Sequence, residues 1–289
     1  MPDITAAADS SASPHANLWE RPIALEKDVL SRRIYAPLAY APVRNAKIVP
    51  VVHSECMALA SWFPLVWRRR HDTIDFVAVR ALLDDQRAQP PAARAVLPMV
   101  LHAYPFMHDP SEPVTADTRK MLDDVFADAP TDVGASITTV QRKLARATTS
   151  RFRILDRFAH EASVTAQIGR ALAALDMFEP WALTFDIDGR RIEIPDLMVI
   201  RSTAFETGQF AALLGDYGVP CAQMIGLHRI SLFRAGTLLA MAKAFLKEQR
   251  SAQEQPVAEA PSPSPQNREA LDDRAPPQRA PTNTHLVST

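Results

Sequence analysis

Apolar side chains recur at helical spacing through the middle of the chain and at strand spacing on either side. Leu155, Phe158, Ala162, Ile168, Leu172 and Leu175 fall three, four or summed steps apart across residues 152–176. Arg, Asp and Glu occupy the positions between, so one side of a long helix is apolar. The same spacing predicts a helix over 135–147 through Ile137, Val140, Leu144 and Ala147, and one capped by Thr115 that buries Met121, Leu122, Val125 and Phe126. Thr203-Ala204-Phe205-Glu206 has capping-box spacing and opens a helix through Phe210, Leu213, Leu214 and Tyr217 that ends near Gly218. Val219–Phe245 reads as a strand or loop followed by an amphipathic helix over 232–247 that buries Leu238, Ala242 and Phe245.

Before residue 110 the pattern is shorter and more broken. Ile48-Val49-Pro50-Val51-Val52 predicts a strand whose proline places it at an edge or bulge. Residues 54–62 predict a short helix with Ser54 as N-cap, stopped by Pro64. Leu65–Trp67 and Ile74–Val79 predict strands, and Leu97–Phe106 runs apolar into Tyr104-Pro105-Phe106. The clearest local signal is a hairpin: Leu183–Ile187 meets Arg190–Ile194 across Asp188-Gly189, a pair suited to a type I′ turn. That register sets Phe185 against Ile192 and Leu183 against Ile194 on one face and Asp186 against Arg191 on the other, all favourable cross-strand pairs. Short strands and a hairpin packed with amphipathic helices make the expected class α+β.

Composition sets the limits of that body. Met1 to Asn17 is small, polar and acidic, and 248–289 is rich in Pro, Gln, Ala and Ser, so residues 1–30 and 248–289 are expected to be disordered around a globular domain over 31–247. The N-terminus lacks a basic stretch followed by an apolar one, so no signal peptide is read. Two cysteines, Cys56 and Cys221, point to a reduced, cytoplasmic setting. A net charge of −1 gives no broad attraction to nucleic acid, and Arg68-Arg69-Arg70-His71 is expected to be a solvated turn. Val219–Phe245 carries His228, Arg229, Arg234 and Lys243, which argues against a membrane span.

Four stretches, in order, resemble the SapC-like family of bacterial proteins. They are Val49-Pro50 with Glu55 and Phe63-Pro64-Leu65-Val66; Leu97-Pro98 with Tyr104-Pro105-Phe106; the strand pair around Asp188-Gly189; and Gly218 with His228-Arg229-Ile230-Ser231-Leu232. Together they cover about residues 35–246. The stretch 80–96 departs from the family pattern: relatives carry an Asn-rich, Trp-containing segment where this chain has Arg and Pro. The resemblance implies no catalytic residue set. It implies a link to surface-layer or outer-membrane functions, and it is distinct from the peptide-transporter permease of similar name.

Candidate chemistry is sparse. His53-Ser54-Glu55-Cys56 is the densest reactive run. His-x-Glu with Pro220-Cys221 is reminiscent of a zinc deaminase, but Met224 stands where the second cysteine ligand belongs, leaving the site one ligand short. His102, His108 and His228 have no ligand spacing with His53, so no metal site is expected, and no cofactor is implied. There is no phosphate loop and no nucleophile elbow. Glu55 with His53 or His228 are the candidates for acid–base work. Trp62, Trp67, Tyr104, Phe106 and Ser231 are the candidates for lining a peptide-binding groove, against the simpler reading of the aromatics as core. The expectation is an accessory protein for a protein or peptide client; the rival is a peptide- or amino-acid-modifying enzyme. The oligomeric state is not legible.

Overall fold

The computed structural model describes residues 19–254, apart from 71, 72, 110, 113, 116, 131 and 188. The described residues up to 247 form one compact unit, and those from 248 belong to a second. Of the expected loose ends, 1–18 and 255–289 lie outside the described residues. Residues 19–30, also expected to be loose, are structured: Trp19 packs on Tyr104 with ring centroids 5.4 Å apart, and a strand forms at Pro22–Ala24.

The first half is built from very short elements. In chain order they are β1 (Pro22–Ala24), α1 (Lys27–Leu30), β2 (Arg33–Ile34), α2 (Ala41–Asn45), β3 (Ile48–Pro50), α3 (Cys56–Leu59), β4 (Leu65–Arg70), β5 (Thr73–Val79), α4 (Met99–His102), β6 (Phe106–His108), β7 (Lys120–Asp123) and β8 (Ala135–Ser136). The second half holds the long α5 (Arg146–Ala174), then β9 (Phe178–Pro180), β10 (Leu183–Ile187), β11 (Arg190–Ile194), β12 (Leu197–Ile200), α6 (Gly208–Ser231) and α7 (Arg234–Glu254). Helices beside small antiparallel sheets make the fold α+β.

The main sheet has the order β3-β5-β4-β12-β9, every pairing antiparallel. Alternation sorts its residues into two cores. Leu65, Trp67, Phe76, Ala78, Met198 and Ile200 face α5 and α6. Val66, Val77, Val79, Leu197 and Val199 face α7 and the β10–β11 hairpin. α6 and α7 therefore cover opposite faces of one sheet. β3 is an edge strand, where Pro50 costs no interior ladder bond. The hairpin has the expected register, Leu183 with Ile194, Phe185 with Ile192 and Asp186 with Arg191. Gly189 takes φ 78°, while Asp188 lies outside the described residues.

Several expected helices are replaced. The segment begun by Thr115 is not a helix: Lys120–Asp123 is a strand between β1 and β6, and Phe126 is 89 % exposed. Met121 and Leu122 are adjacent and both buried, as a strand covered on both faces requires. Residues 135–145 are β8 and a turn in which Arg142 adopts φ 60°, and helix begins only with α5 at Arg146; Ile137 is buried but Val140 is fully exposed. Tyr35 packs so tightly over Gly134 that a Cβ there would lie 2.8 Å from its ring. The 54–62 helix is a 3-10 turn, His53–Glu55, followed by the single turn of α3. Thr207, not Thr203, caps α6 by accepting from Phe210 N at 3.1 Å. Arg68–Arg70 belong to β4, not to a turn. The segment after Gly218 is helical; Gly218, with φ 59° and ψ −146°, breaks α6 in two rather than ending it.

α5 crosses the main sheet where Trp67 has no exposure, pinned by Phe76 and Phe178 at centroid distances of 4.7 and 5.3 Å. Gly169 faces that ring, and a Cβ there would come within 2.7 Å of it. Gly169→Ala gains roughly 0.5–1 kcal/mol of helix propensity but forces overpacking worth roughly 1–3 kcal/mol. Since Trp67 has no room to yield, the variant is expected to be less stable by about 1–2 kcal/mol in urea unfolding; equal or greater stability would show that the ring can move.

Candidate functional site

β4 and β12 are the third and fourth strands of the main sheet, and their ladder opens at one end. Arg69 N donates to Asp196 O at 2.9 Å, and Trp67 pairs with Met198. Alternate pairs of an antiparallel ladder exchange hydrogen bonds, so the next bonded pair would be Leu65 with Ile200. There a side chain has entered. His228 Nε2 accepts from Ile200 N at 3.3 Å, and its Nδ1 lies 2.6 Å from Leu65 O. A carbonyl only accepts, so Nδ1 carries the proton and the ring is neutral. The other two groups of the opened pair are also met. Leu65 N donates to Ser231 Oγ at 2.9 Å, Ser231 Oγ donates to His228 O at 2.7 Å, and Arg229 Nη1 donates to Ile200 O at 3.1 Å. His228-Arg229-Ile230-Ser231 thus splices a helix into a sheet. Burial, only partly offset by the bond to Leu65, pulls the His228 pKa down to about 4.

Glu55 makes a second junction. Its Oε2 accepts from Val52 N at 3.1 Å and its Oε1 from Met99 N, the first residue of α4. The carboxyl joins the 53–55 turn to the start of α4, where helical N–H groups lack internal partners. Burial raises its pKa to about 7 against the pull of the two backbone donors.

A half-exposed polar cluster lies beside it, where the 53–55 turn meets α5. Arg157, Glu161 and Thr165 stand four residues apart, hence on one side of that helix. Glu161 accepts from Arg157 Nε at 2.7 Å and from the Ser54 hydroxyl. Burial pushes the Glu161 carboxyl up, but Ser54 and Arg157 outweigh it and hold it below its ordinary value. Thr165 Oγ1 donates to Glu161 O at 2.9 Å and accepts from His53 N at 3.0 Å. With that hydroxyl proton committed, the 3.2 Å contact from His53 Nδ1 is a donated bond, and Nε2 is the basic nitrogen of the neutral ring.

The candidates therefore separate. His53 and Glu55 share one turn, whereas His228 and Ser231 lie in the sheet junction and bind different backbone segments. Trp67, Tyr104, Phe106 and Ser231 have no exposure, so they form core rather than the wall of an open groove; Trp62 alone of the five is partly exposed. The Tyr104 hydroxyl donates to Asp123 at 2.7 Å, and the same carboxylate accepts from Arg21 N at 2.7 Å. Cys56 and Cys221 are free, buried thiols in one core cluster, pushed by desolvation up to about 12 and about 11. Among the described residues no three His, Cys, Asp or Glu side chains are grouped to hold a metal.

The SapC family model matches residues 31–215. The chain belongs to the SapC family. The SapC match contains the Glu55 junction, the polar cluster and the hairpin, and stops before His228. No curated protein sequence and no solved structure matches the chain.

Sequence reasoning missed Arg157, Glu161 and Thr165, although their i, i+4, i+8 spacing marked a polar row on α5. It also missed Arg80, which has no exposure and donates to Val43 O and Ala46 O at 2.9 and 3.0 Å, at the end of α2. Those carbonyls carry the negative end of the helix dipole.

The sheet junction makes two predictions. His228→Ala leaves Ile200 N–H and Leu65 C=O unpaired in the core and opens a cavity, a loss of about 3–5 kcal/mol. His228 is harder to protonate folded than unfolded, so its contribution is present above pH 6.5 and disappears as pH falls through about 4. The stability gap between wild type and His228→Gln, read from urea midpoints at fixed pH, is expected to narrow over that window by up to roughly 3 kcal/mol. A gap constant from pH 7 to 4 would show that the ring is not held neutral. Glu55 acts in the opposite sense, because its folded pKa is raised: its contribution is present below pH 4.5 and lost as pH rises through about 7. The deficit of Glu55→Gln is therefore expected to shrink from pH 4.5 to 7, and a deficit that grows would overturn the assignment.

Proposed function

We propose that the protein is a soluble, cytoplasmic accessory protein that binds a protein or peptide client connected with surface-layer or outer-membrane functions. The observation that carries this reading is the irregular excursion between β7 and α5. Phe126, Val133 and Val140 are 89, 84 and 104 % exposed there. Large apolar side chains held in water contribute nothing to the chain's own core, and three of them on the one connection, 126–140, support a binding role for it. The segment is anchored at its base, since Asp128 N and Ala129 N both donate to Ala39 O and Asp128 pairs with Arg44.

A peptide or protein suits this surface better than nucleic acid, because the net charge is −1 and Arg68–Arg70 are part of the sheet. A permease is disfavoured. By length and composition α6 alone among the described helices reaches what a membrane crossing needs. Its break at Gly218 leaves pieces at 208–217 and 219–231, each short of the roughly 20 residues a span requires.

One observation favours a second reading, a peptide- or amino-acid-modifying enzyme. Glu55 titrates at about 7, within the range useful for general acid–base work, and His53 beside it is partly exposed with a basic Nε2.

Affinity capture from native lysate, comparing the wild-type chain with a Phe126→Ser/Val133→Ser/Val140→Ser variant, separates the two. The binding reading expects a reproducible partner recovered at least tenfold less by the variant, whose unfolding midpoint is unchanged because the three side chains are exposed. Equal recovery would overturn it. Turnover of peptide or amino-acid derivatives that His53→Asn abolishes would establish the second reading in its place.

A further inference from the structure

The part of α6 after Gly218 is apolar on two opposite sides. One side, Cys221, Met224, Ile225 and His228, is buried against the main sheet. The other carries Val219, Ala222, Gly226 and Ile230 and continues to Phe233 in the turn before α7. Val219, Ile230 and Phe233 are 67, 61 and 60 % exposed, and a Cβ on Gly226 would meet nothing within 4 Å. A helix apolar all round is ordinarily covered all round; this one is covered on one side.

The uncovered residues are spaced symmetrically. Val219 and Phe233 each lie seven positions from Gly226, and Ala222 and Ile230 each lie four positions from it. Two copies laid antiparallel with Gly226 on the two-fold axis would set Gly226 against Gly226, Ala222 against Ile230 and Val219 against Phe233. The two pairings nearest the axis set a small side chain, or none, opposite their counterparts, so the backbones can approach closely there, while Val219 and Phe233 supply apolar area at the ends. Charge agrees. Asp216 is exposed at one end of the stripe, and Arg234, stacked on Phe233 at 4.3 Å, stands at the other. The antiparallel arrangement brings each Asp216 towards the partner's end that carries Arg234, whereas a parallel one would set the two aspartates together. A bilayer surface fits less well, because Ala222 and Gly226 offer little area to bury and Gln223 and Asp216 border the stripe.

We propose that the protein forms a two-fold symmetric dimer through this face of α6, with the axis at Gly226. A two-fold contact uses one patch twice and so needs a self-complementary surface, which this spacing provides. One helix pair is small beside a standard interface, so the dimer is reversible and concentration-dependent.

Sedimentation equilibrium of the full chain is expected to show the mass rising from 31.9 kDa towards twice that with concentration. Ile230→Asp is expected to hold the chain at the monomer mass, with the unfolding midpoint that the wild-type chain shows when dilute enough to be monomeric. Single cysteines locate the axis. Gly226→Cys puts two thiols across the axis and is expected to form a disulfide dimer under mild oxidation. Val219→Cys puts them about 21 Å apart along the helices, from a rise of 1.5 Å per residue, and is expected not to. A monomer at every concentration, a Val219→Cys dimer formed as fast as the Gly226→Cys dimer, or lipid-vesicle binding with no dimer would each overturn the proposal.

Discussion

The opened pair between Leu65 and Ile200 is the constraint around which the second half of the molecule is arranged. Two central strands must part there, because Pro64 precedes one and the 3-10 turn at Ser202–Glu206 follows the other. Parting leaves four backbone groups in a region where unpaired polar atoms are costly. Neutral imidazole presents a donor and an acceptor on opposite sides of a rigid ring, so His228 can stand between an N–H and a C=O without a net charge. Ser231, one turn later, and Arg229 beside it meet the remaining two groups. The chain reverses just after this motif, which takes it from α6 on one face of the sheet to α7 on the other. A residue type associated with catalysis is thereby committed to holding two strands apart.

The first half applies the same logic to different residues. In helices of four or five residues nearly every backbone N–H and C=O is a terminal group without an internal partner, and α2, α3 and α4 are all of this kind. Their ends are met by side chains from far along the sequence: Arg80 at the end of α2, and Glu55 at the start of α4. Asp123 does likewise for the backbone leading into β1. Most of these buried polar groups bind backbone rather than an opposite charge. Removing one would leave bare carbonyls or N–H groups in the core, a larger cost than losing a surface ion pair.

What the sequence disclosed follows from that division. The β10–β11 hairpin, the edge position of β3 and the buried stripe of α5 were legible because local pattern decides them: a turn dipeptide, a proline and a long run at one period. The 115–126 and 135–147 segments were misread because three or four apolar residues at helical spacing also suit a strand flanked by turns, and only the pairing of β7 with β1 and β6 decides between them. Gly218 was read as an end because positive φ usually terminates a helix; here helix resumes at once. The junctions made by His228 and Glu55 could not be assigned from sequence, since one partner of each lies 163 and 44 residues away. The polar row on α5 was legible in spacing, and only the fold shows that it meets Ser54.

The distribution of chemistry over the molecule bears on its function. Desolvation is the leading cause of the shifts at Glu55, Cys56, Cys221 and His228, so an unusual pKa here measures burial and does not by itself locate a reaction. Apolar side chains show the reverse economy: Phe126, Val133 and Val140 on one segment, and Val219, Ile230 and Phe233 on another, remain in water although the core holds many larger residues out of it. Folding gives no reason to keep them exposed, and solubility gives a reason to remove them. The two sets also differ in kind. The first stands on the connection between β7 and α5, tied down near Asp128, whereas the second lies on a helix fixed to the sheet by His228. The two sets share no residue, so the proposed client site and the proposed self-association face would not compete.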